Sequence, residues 1–425
     1  MISRTARLIT GGAGVASLCL AALTVPPTSG ATVTLNPSPD DMIIQAHRGG
    51  PDLGAPENSI ALFQKAIASG VVDRIETDVR STRDNVLVII HDAKLPASCT
   101  TSTGLSVAGK LVRRMLWADL AKVRCSGEPI PRLNDALTVV RGTDVSLNLE
   151  LKLDSDLTST QKSDVAKRVV TAILAAGLDS QVSLSSYYWR SYAGAVKKYG
   201  QGIAMAAMEF PSHTTSTDNV YSTIRYAKSV GVDRFAMNAL HANERLTDFM
   251  NDYGLMRLGT QDRTSAQHTR YALARGSWTF TSDDPVRLRI AVDKLLAGLE
   301  DDPLRRTLIS TPTSPRSVMT KKAMAAGSKS FPQVIGATGL LPSKALTQLD
   351  GVAFKVTVTG RGTGNLELAP SGSRPGIDGV RIALPRGTQT YTMHASPGDG
   401  GRIRVMTTAA ATVTVKTTGY RTVTY

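Results

Sequence analysis

Between Val145 and Leu153 the chain reads Val-Ser-Leu-Asn-Leu-Glu-Leu-Lys-Leu, and no other stretch limits the possible folds as sharply. Side chains alternate along a strand. The leucines therefore take one face, while Ser146, Asn148, Glu150 and Lys152 take the other. Such a strand suits a barrel whose outer side packs under helices and whose inner side ends in a polar site. The surrounding sequence agrees. Strand-like runs near 42–47, 72–79, 86–91, 145–151, 181–185, 203–207, 233–237, 255–259 and 278–281 alternate with helical spacing. In the first helix, Ile60, Leu62, Phe63, Ala66 and Ile67 recur at helical intervals, with Pro56 and Asn58 or Ser59 as start signals. Alternation of this kind predicts an α/β fold, a (β/α)₈ TIM-type barrel. Nine candidates compete for eight places, and 233–237 is expected to be the one outside the ring. Residues 93–130 read as a small insertion over the barrel mouth.

The groups that carry chemistry sit on the first strands: Gln45-Ala46-His47-Arg48-Gly49, Glu76-Thr77-Asp78 and His91-Asp92. With only six histidines in the chain, two at the ends of apolar runs stand out. The link Arg80–Asn85 is too short for a crossover helix, so an antiparallel hairpin is expected. A turn centred between Arg83 and Asp84 would set Glu76 opposite His91 and Asp78 opposite Ile89. A merely charged, solvent-facing hairpin is the plainer alternative, and the strand at Val145–Leu153 argues against it.

These residues resemble the glycerophosphodiester phosphodiesterase family. Its spaced motifs are matched by His47-Arg48-Gly49, Pro56-Glu57-Asn58-Ser59, Glu76-Thr77-Asp78, His91-Asp92 and Glu150-Leu151-Lys152. Weaker matches follow at Ser185-Ser186 and at Thr281-Ser282-Asp283-Asp284-Pro285, so the resemblance spans roughly Met42 to Leu299. Where the family usually carries Trp-Thr, this chain has Leu258-Gly259-Thr260, which puts an aromatic wall of the pocket, and the usual leaving-group preference, in question. The resemblance implies a phosphoric diester hydrolase that releases glycerol 3-phosphate and an alcohol. Attack would come from a substrate hydroxyl, through a cyclic phosphate, or from water.

The side-chain chemistry fits that expectation. Glu76, Asp78 and Glu150 offer three carboxylates and no thiolate, a set for one hard divalent cation, Ca²⁺ or Mg²⁺. Arg48 and Lys152 suit the phosphate oxygens. His47 and His91 would divide acid and base work between them. His213, His241, His268 and His394 lack such contexts, and Asp283 and Asp284 read as helix capping before Pro285. Two alternatives are a sphingomyelinase D-like barrel acting on choline phospholipids and an idle, anion-binding surface protein.

Composition bears on location and on the C-terminal part. Arg4 and Arg7 precede an apolar stretch from Val15 to Val25 and then small residues, so 1–31 reads as a secretory signal and the protein as secreted, free or associated with the cell wall. Cys99 and Cys125 are then expected to form a disulfide. Residues 32–304 would form the barrel domain and 305–425 a separate β-sandwich, where short alternating runs such as Val352–Val358 and Ala411–Lys416 dominate. This segment is similar to sandwich modules appended to exported actinobacterial proteins, in its Gly372–Pro375 turn and its Gly419-Tyr420. Of the formal charge of +14, residues 306–425 hold 15 Lys/Arg against 4 Asp/Glu. The partners expected are therefore a small glycerophosphodiester and, through this basic module, an anionic cell-wall or membrane surface; nucleic acid is not expected.

Overall fold

The computed structural model describes residues 31–32, 42–200, 202–208, 219–236, 244–257, 259–261, 266–274, 279–299, 305–335, 349–375 and 377–424. Residues 1–30, which hold nearly all of the expected signal, and His213, His241 and Leu258 lie outside the described residues.

A short strand β1 (Ala31–Thr32) is followed by β2 (Ile43–Ala46), α1 (Ile60–Ala68), β3 (Arg74–Ser81) and β4 (Leu87–Ile89). An inserted lobe holds β5 (Cys99–Thr101), α2 (Trp117–Leu120), β6 (Val123–Cys125) and β7 (Glu128–Pro129). Helices and strands then alternate: α3 (Leu133–Val140), β8 (Ser146–Leu151), α4 (Ser159–Ala176), β9 (Val182–Ser186), α5 (Trp189–Tyr199) and β10 (Ala204–Met208). The pattern continues through α6 (Val220–Ser229), β11 (Arg234–Ala236), α7 (Glu244–Asp252), β12 (Met256–Arg257), β13 (Gly259–Gln261), α8 (Ala266–Ala274), β14 (Thr279–Ser282) and α9 (Pro285–Gly298).

The parallel sheet runs β12-β11-β10-β9-β8-β3-β2-β14-β13. Consecutive β12 and β13 pair on opposite sides, with β11 and with β14, and so share one place in an eight-place curled sheet. The (β/α)₈ expectation is borne out, but its odd strand is corrected. Residues 234–236 belong to the ring, between β10 and β12. The strand outside it is β4, which pairs antiparallel with β3 alone.

Leu147, Leu149 and Leu151 of β8 are buried in the core under the helices, while Asn148 turns inward to bond Ser183 and Ser185 of β9. Each buried leucine stabilises by roughly 1.5–3 kcal/mol relative to exposure. The inserted lobe has its own small core, around Val88, Leu95, Val112, Leu120 and Val123. Cys99 and Cys125 are paired across β5 and β6 and joined by a disulfide. Arg113 roots the lobe at the C-terminal rim of the strands through Asp154, which also receives Arg80.

From residue 305 on, the described residues form strands, with one short 3-10 turn at Asp399–Gly401: β15 (Arg305–Met324), β16 (Lys329–Ser330), β17 (Leu349–Arg361), β18 (Asn365–Pro370), β19 (Val380–Ala383), β20 (Arg386–Ala395), β21 (Ile403–Thr407) and β22 (Ala411–Thr424). They form two antiparallel sheets, β1-β15-β22-β17-β20 and β16-β21-β18-β19, over a core that includes Phe354, Val356, Leu366, Val405 and Val413. His394 lies on β20, opposite Ala353.

Candidate active site at the C-terminal ends of the strands

Glu76 and Asp78 leave β3 on one face, and Glu150 lies beside them because Asp78 is in register with Glu150 across β3 and β8. One ligand oxygen from each falls within 4.8 Å of the other two. Asp78 is only 1% exposed. Burial, followed by the neighbouring Asp78 and Glu150 carboxylates, pushes the Glu76 carboxyl well above its ordinary value. Burial raises Glu150 as well, against the pull of Lys152.

Two cations meet this cluster. The Lys152 ammonium lies 2.7 Å from Glu150 and 3.3 Å from Asp78. Burial works to lower Lys152, but Glu150 and Asp78 outweigh it and hold it above its usual value. Arg48 pairs with Glu57 at 3.0 Å and lies 3.9 Å from Asp78, and its raised pKa has the same kind of balance. Three buried carboxylates against one ammonium and a shared guanidinium leave a negative excess made of hard oxygens. That donor set fits a divalent cation of the Ca²⁺ or Mg²⁺ type, held by Glu76, Asp78 and Glu150.

The turn after β2 brings His47 in. Gly49, at φ 95°, lets that turn lie against α1, where a Cβ would come within 2.9 Å of Leu62 and Phe63. The Arg48 amide donates to Glu76 at 2.9 Å and so ties the turn to the carboxylates. Nδ1 of His47 lies 2.7 Å from Asp283, and Nδ1 of His91 lies 2.7 Å from Asp92. Each imidazole thus has one nitrogen engaged by a carboxylate, which leaves Nε2 as the atom available for proton transfer. His91 is also near enough to Glu150 to favour its ionised form.

The route by which His91 arrives differs from the expected hairpin. Val79 pairs with Ile89 and Ser81 with Leu87, one residue away from the expected register. The connection is a five-residue loop, Thr82–Val86, with Asn85 in the left-handed region at φ 66° and Thr82 bonded to Val86. A one-residue slip exchanges faces, so a continued strand would send His91 outward with Val79 and Ile89. Instead β4 ends at Ile89. The Ile90 amide bonds the Asp78 carbonyl, and Arg80 holds the His91 carbonyl at 2.8 Å.

Of the residues expected to cap helices, Ser59 and Asp284 do so, while Asn58 and Asp283 do not. Ser59 caps α1 by accepting from the Leu62 amide. Asn58, at φ 58°, turns into the site, donating to Asp78 at 2.9 Å and accepting from Thr77 at 2.6 Å. At α9 the cap is Asp284 alone, accepting from Arg287, which releases Asp283 to His47. A cleft of ≈ 260 Å³ beside Glu150 and Lys152 is lined in part by Tyr187 and Tyr188. Burial, and then Glu150 and Glu76, push the Tyr187 phenol far up. Sequence reasoning missed Tyr187; its position directly after β9, at the end that carries the carboxylates, was the available signal. His268 lies within α8.

A parallel barrel with buried carboxylates, two carboxylate-held histidines and two cations at its C-terminal rim has the layout of a phosphoryl-group enzyme of the TIM-barrel class. The glycerophosphoryl diester phosphodiesterase family model matches residues 47–295, and the chain belongs to that family. A stretch of 119 residues is 39% identical to "Probable glycerophosphodiester phosphodiesterase 2" of Mycobacterium tuberculosis, covering 28% of this chain and 41% of that protein. Another of 153 residues is 28% identical to a glycerophosphodiester phosphodiesterase of Caldanaerobacter subterraneus, covering 34% of this chain and 58% of the other. The chain therefore spans about two fifths to three fifths of these relatives' length. A Silicibacter pomeroyi structure of the same family name superposes with a TM-score of 0.53 at 20% identity, over 60% of this chain and 94% of that one, and supports the fold.

Proposed function

We propose that this chain is a secreted, divalent-cation-dependent phosphodiesterase that cleaves glycerophosphodiesters to glycerol 3-phosphate and an alcohol. The observation that carries the reading is the buried Glu76–Asp78–Glu150 cluster within salt-bridge reach of Lys152 and Arg48. When bound there, the cation neutralises charge on the phosphate and lowers the pKa of the attacking hydroxyl. Arg48 and Lys152 receive the remaining phosphate oxygens, Arg48 through its planar fork. One of His47 and His91 takes the proton of the nucleophile and the other returns a proton to the leaving alcohol, each from Nε2. Asp283 and Asp92 fix the orientation of the two imidazoles through their Nδ1 contacts. Asn58 orients Asp78 by donating to one of its oxygens, and Lys152 faces the other, so the carboxylate that would help hold the cation is fixed from both sides. Tyr187 and Tyr188 give the cleft beside Glu150 and Lys152 an aromatic surface.

Secretion is supported by the basic-then-apolar start of the chain and by the Cys99–Cys125 bond, which persists in oxidising surroundings. The basic C-terminal module would bring the enzyme to an anionic wall polymer or membrane. Incubation with a panel of glycerophosphodiesters, with and without chelator, tests the central reading. Glycerol 3-phosphate release that chelator abolishes is the expected result. Product that forms equally well in chelator, or no turnover of any diester with Ca²⁺ or Mg²⁺, would overturn it.

A further inference from the structure

The sandwich meets the barrel at the first turn of α6. That helix returns from β10 to β11 with only residues 230–233 between its end and the next strand. Its N-terminus therefore lies toward the C-terminal ends of the strands, the rim that carries the carboxylates. The first amides of a helix have no partner inside it. Asn219, at the cap position, makes no side-chain capping bond.

A residue of the sandwich supplies the cap. Asp399 accepts from the Tyr221 amide at 2.9 Å and the Ser222 amide at 3.3 Å, and the Ser222 hydroxyl donates to the same carboxylate. Asp399 is 178 residues away from Tyr221 in sequence, and is buried. A second clamp comes from Arg374. Its guanidinium donates to Asp252 of α7 and lies 5.6 Å from the Phe249 ring centroid and 5.7 Å from that of Tyr253.

The loops that present these two residues are braced from inside the sandwich. Glu367 and Arg404, 1% and 3% exposed, form an ion pair at 2.7 Å. Arg404 also donates to the carbonyls of Ser373 and Arg374, and so holds the segment that carries the clamp. At Gly372, φ 83°, a Cβ would lie 2.0 Å from the Asp399 carboxylate; at Gly398 it would lie 2.1 Å from the Ser371 carbonyl. A buried ion pair is weak evidence for stability. Its position under the docking loops gives it a different use, which is to fix their conformation.

We propose that the sandwich is built into the barrel domain rather than hung from it: Asp399 is the N-terminal cap of α6, Arg374 the clamp on α7, and the two domains unfold as one cooperative unit. The sandwich is then held in one orientation at the catalytic rim, and any surface it binds is presented to the barrel in a fixed geometry.

Full-length protein tests this by unfolding with two probes. All three tryptophans, Trp117, Trp189 and Trp278, precede residue 305, so their fluorescence follows the barrel while far-UV circular dichroism follows both domains. Coincident single transitions are expected for the native chain. Asp399→Ala should lower the tryptophan midpoint by about 2–6 °C. Ser222→Ala should lower it less, and should add little when combined with Asp399→Ala. Glu367→Gln, a change inside the sandwich, should also move the tryptophan midpoint. Where Asp399→Ala does not yield folded protein, Asp399→Asn with Ser222→Ala reads the same contact. Two separate transitions in the native chain, with a tryptophan midpoint that none of these substitutions moves, would overturn the proposal.

Discussion

At the residue scale the site depends on which atom each side chain leaves free. Asp283 and Asp92 occupy Nδ1 of His47 and His91, so both rings should act through Nε2. His47→Ala and His91→Ala are each expected to lower kcat by ~10²–10⁴ with the fold retained. Steady-state kinetics on variants checked by circular dichroism would decide, and near-normal turnover in either would remove that histidine from the mechanism. Asp283→Asn should give a smaller loss in kcat with KM little changed, because it disturbs the orientation of His47 and not the groups around the phosphate. For the carboxylates, Glu76→Ala, Asp78→Ala or Glu150→Ala should each remove most of the bound cation, measurable by metal analysis after dialysis; full occupancy without Glu150 would require the ligand set to be redrawn. The residues of this site were largely legible in sequence, since His47, Arg48, Glu76, Asp78, His91, Glu150 and Lys152 sit in short motifs. Asp283 and Asn58 were not. Both stand next to a helix start, where capping is the ordinary use of Asp and Asn, and only the neighbouring residues, Asp284 and Ser59, taking the caps sets them free for the site.

At the scale of elements, β8 shows why the alternating pattern was so informative. Its leucine face is the inner lining of the helical layer, and its polar face ends in Glu150 and Lys152. Leu149→Ala should destabilise the barrel by roughly 2–5 kcal/mol, read by urea unfolding. The hairpin shows the limit of such reading. An odd loop and an even loop between β3 and β4 differ by one residue in register, and the left-handed conformation of Asn85 chooses between them. The same applies to β11, which has only three residues; its place was decided by its neighbours β10 and β12, not by its own pattern. In the inserted lobe the Cys99–Cys125 bond closes a loop of 26 residues in sequence. By the chain-entropy estimate it contributes about 3.5 kcal/mol. Thiol titration of denatured, unreduced protein should find neither of these sulfhydryls free.

Across the whole molecule, charge and docking pull in one direction. The sandwich carries most of the net positive charge, and Lys355 and Lys416 lie side by side and exposed across β17 and β22. Sedimentation of the intact protein with anionic vesicles or wall polymer should fall as salt rises, since surface charges are screened beyond about 8–10 Å at physiological ionic strength. Lys355→Glu combined with Lys416→Glu should weaken it further while turnover of small soluble diesters is unchanged. Equal sedimentation of native and charge-reversed protein would show that the basic residues serve solubility alone. Among the described residues no helix is long and apolar enough to cross a membrane.

What the sequence determined by itself was the local alternation: leucines against polar residues on β8, the Glu-x-Asp pair on β3, and the motifs that mark the rim. Those follow from the two-residue period of a strand and from side-chain chemistry, both of which act between near neighbours. Tertiary structure alone decided what depends on distant partners. It set Glu150 beside Asp78 through the register of β8 on β3, brought Asp283 to His47 across 236 residues of chain, and placed Asp399 on the first turn of α6. A carboxylate carries no sign of whether it will cap a helix, hold an imidazole or face a cation. That choice is made by which unpaired amide, ring nitrogen or charge the closed fold leaves within hydrogen-bond reach.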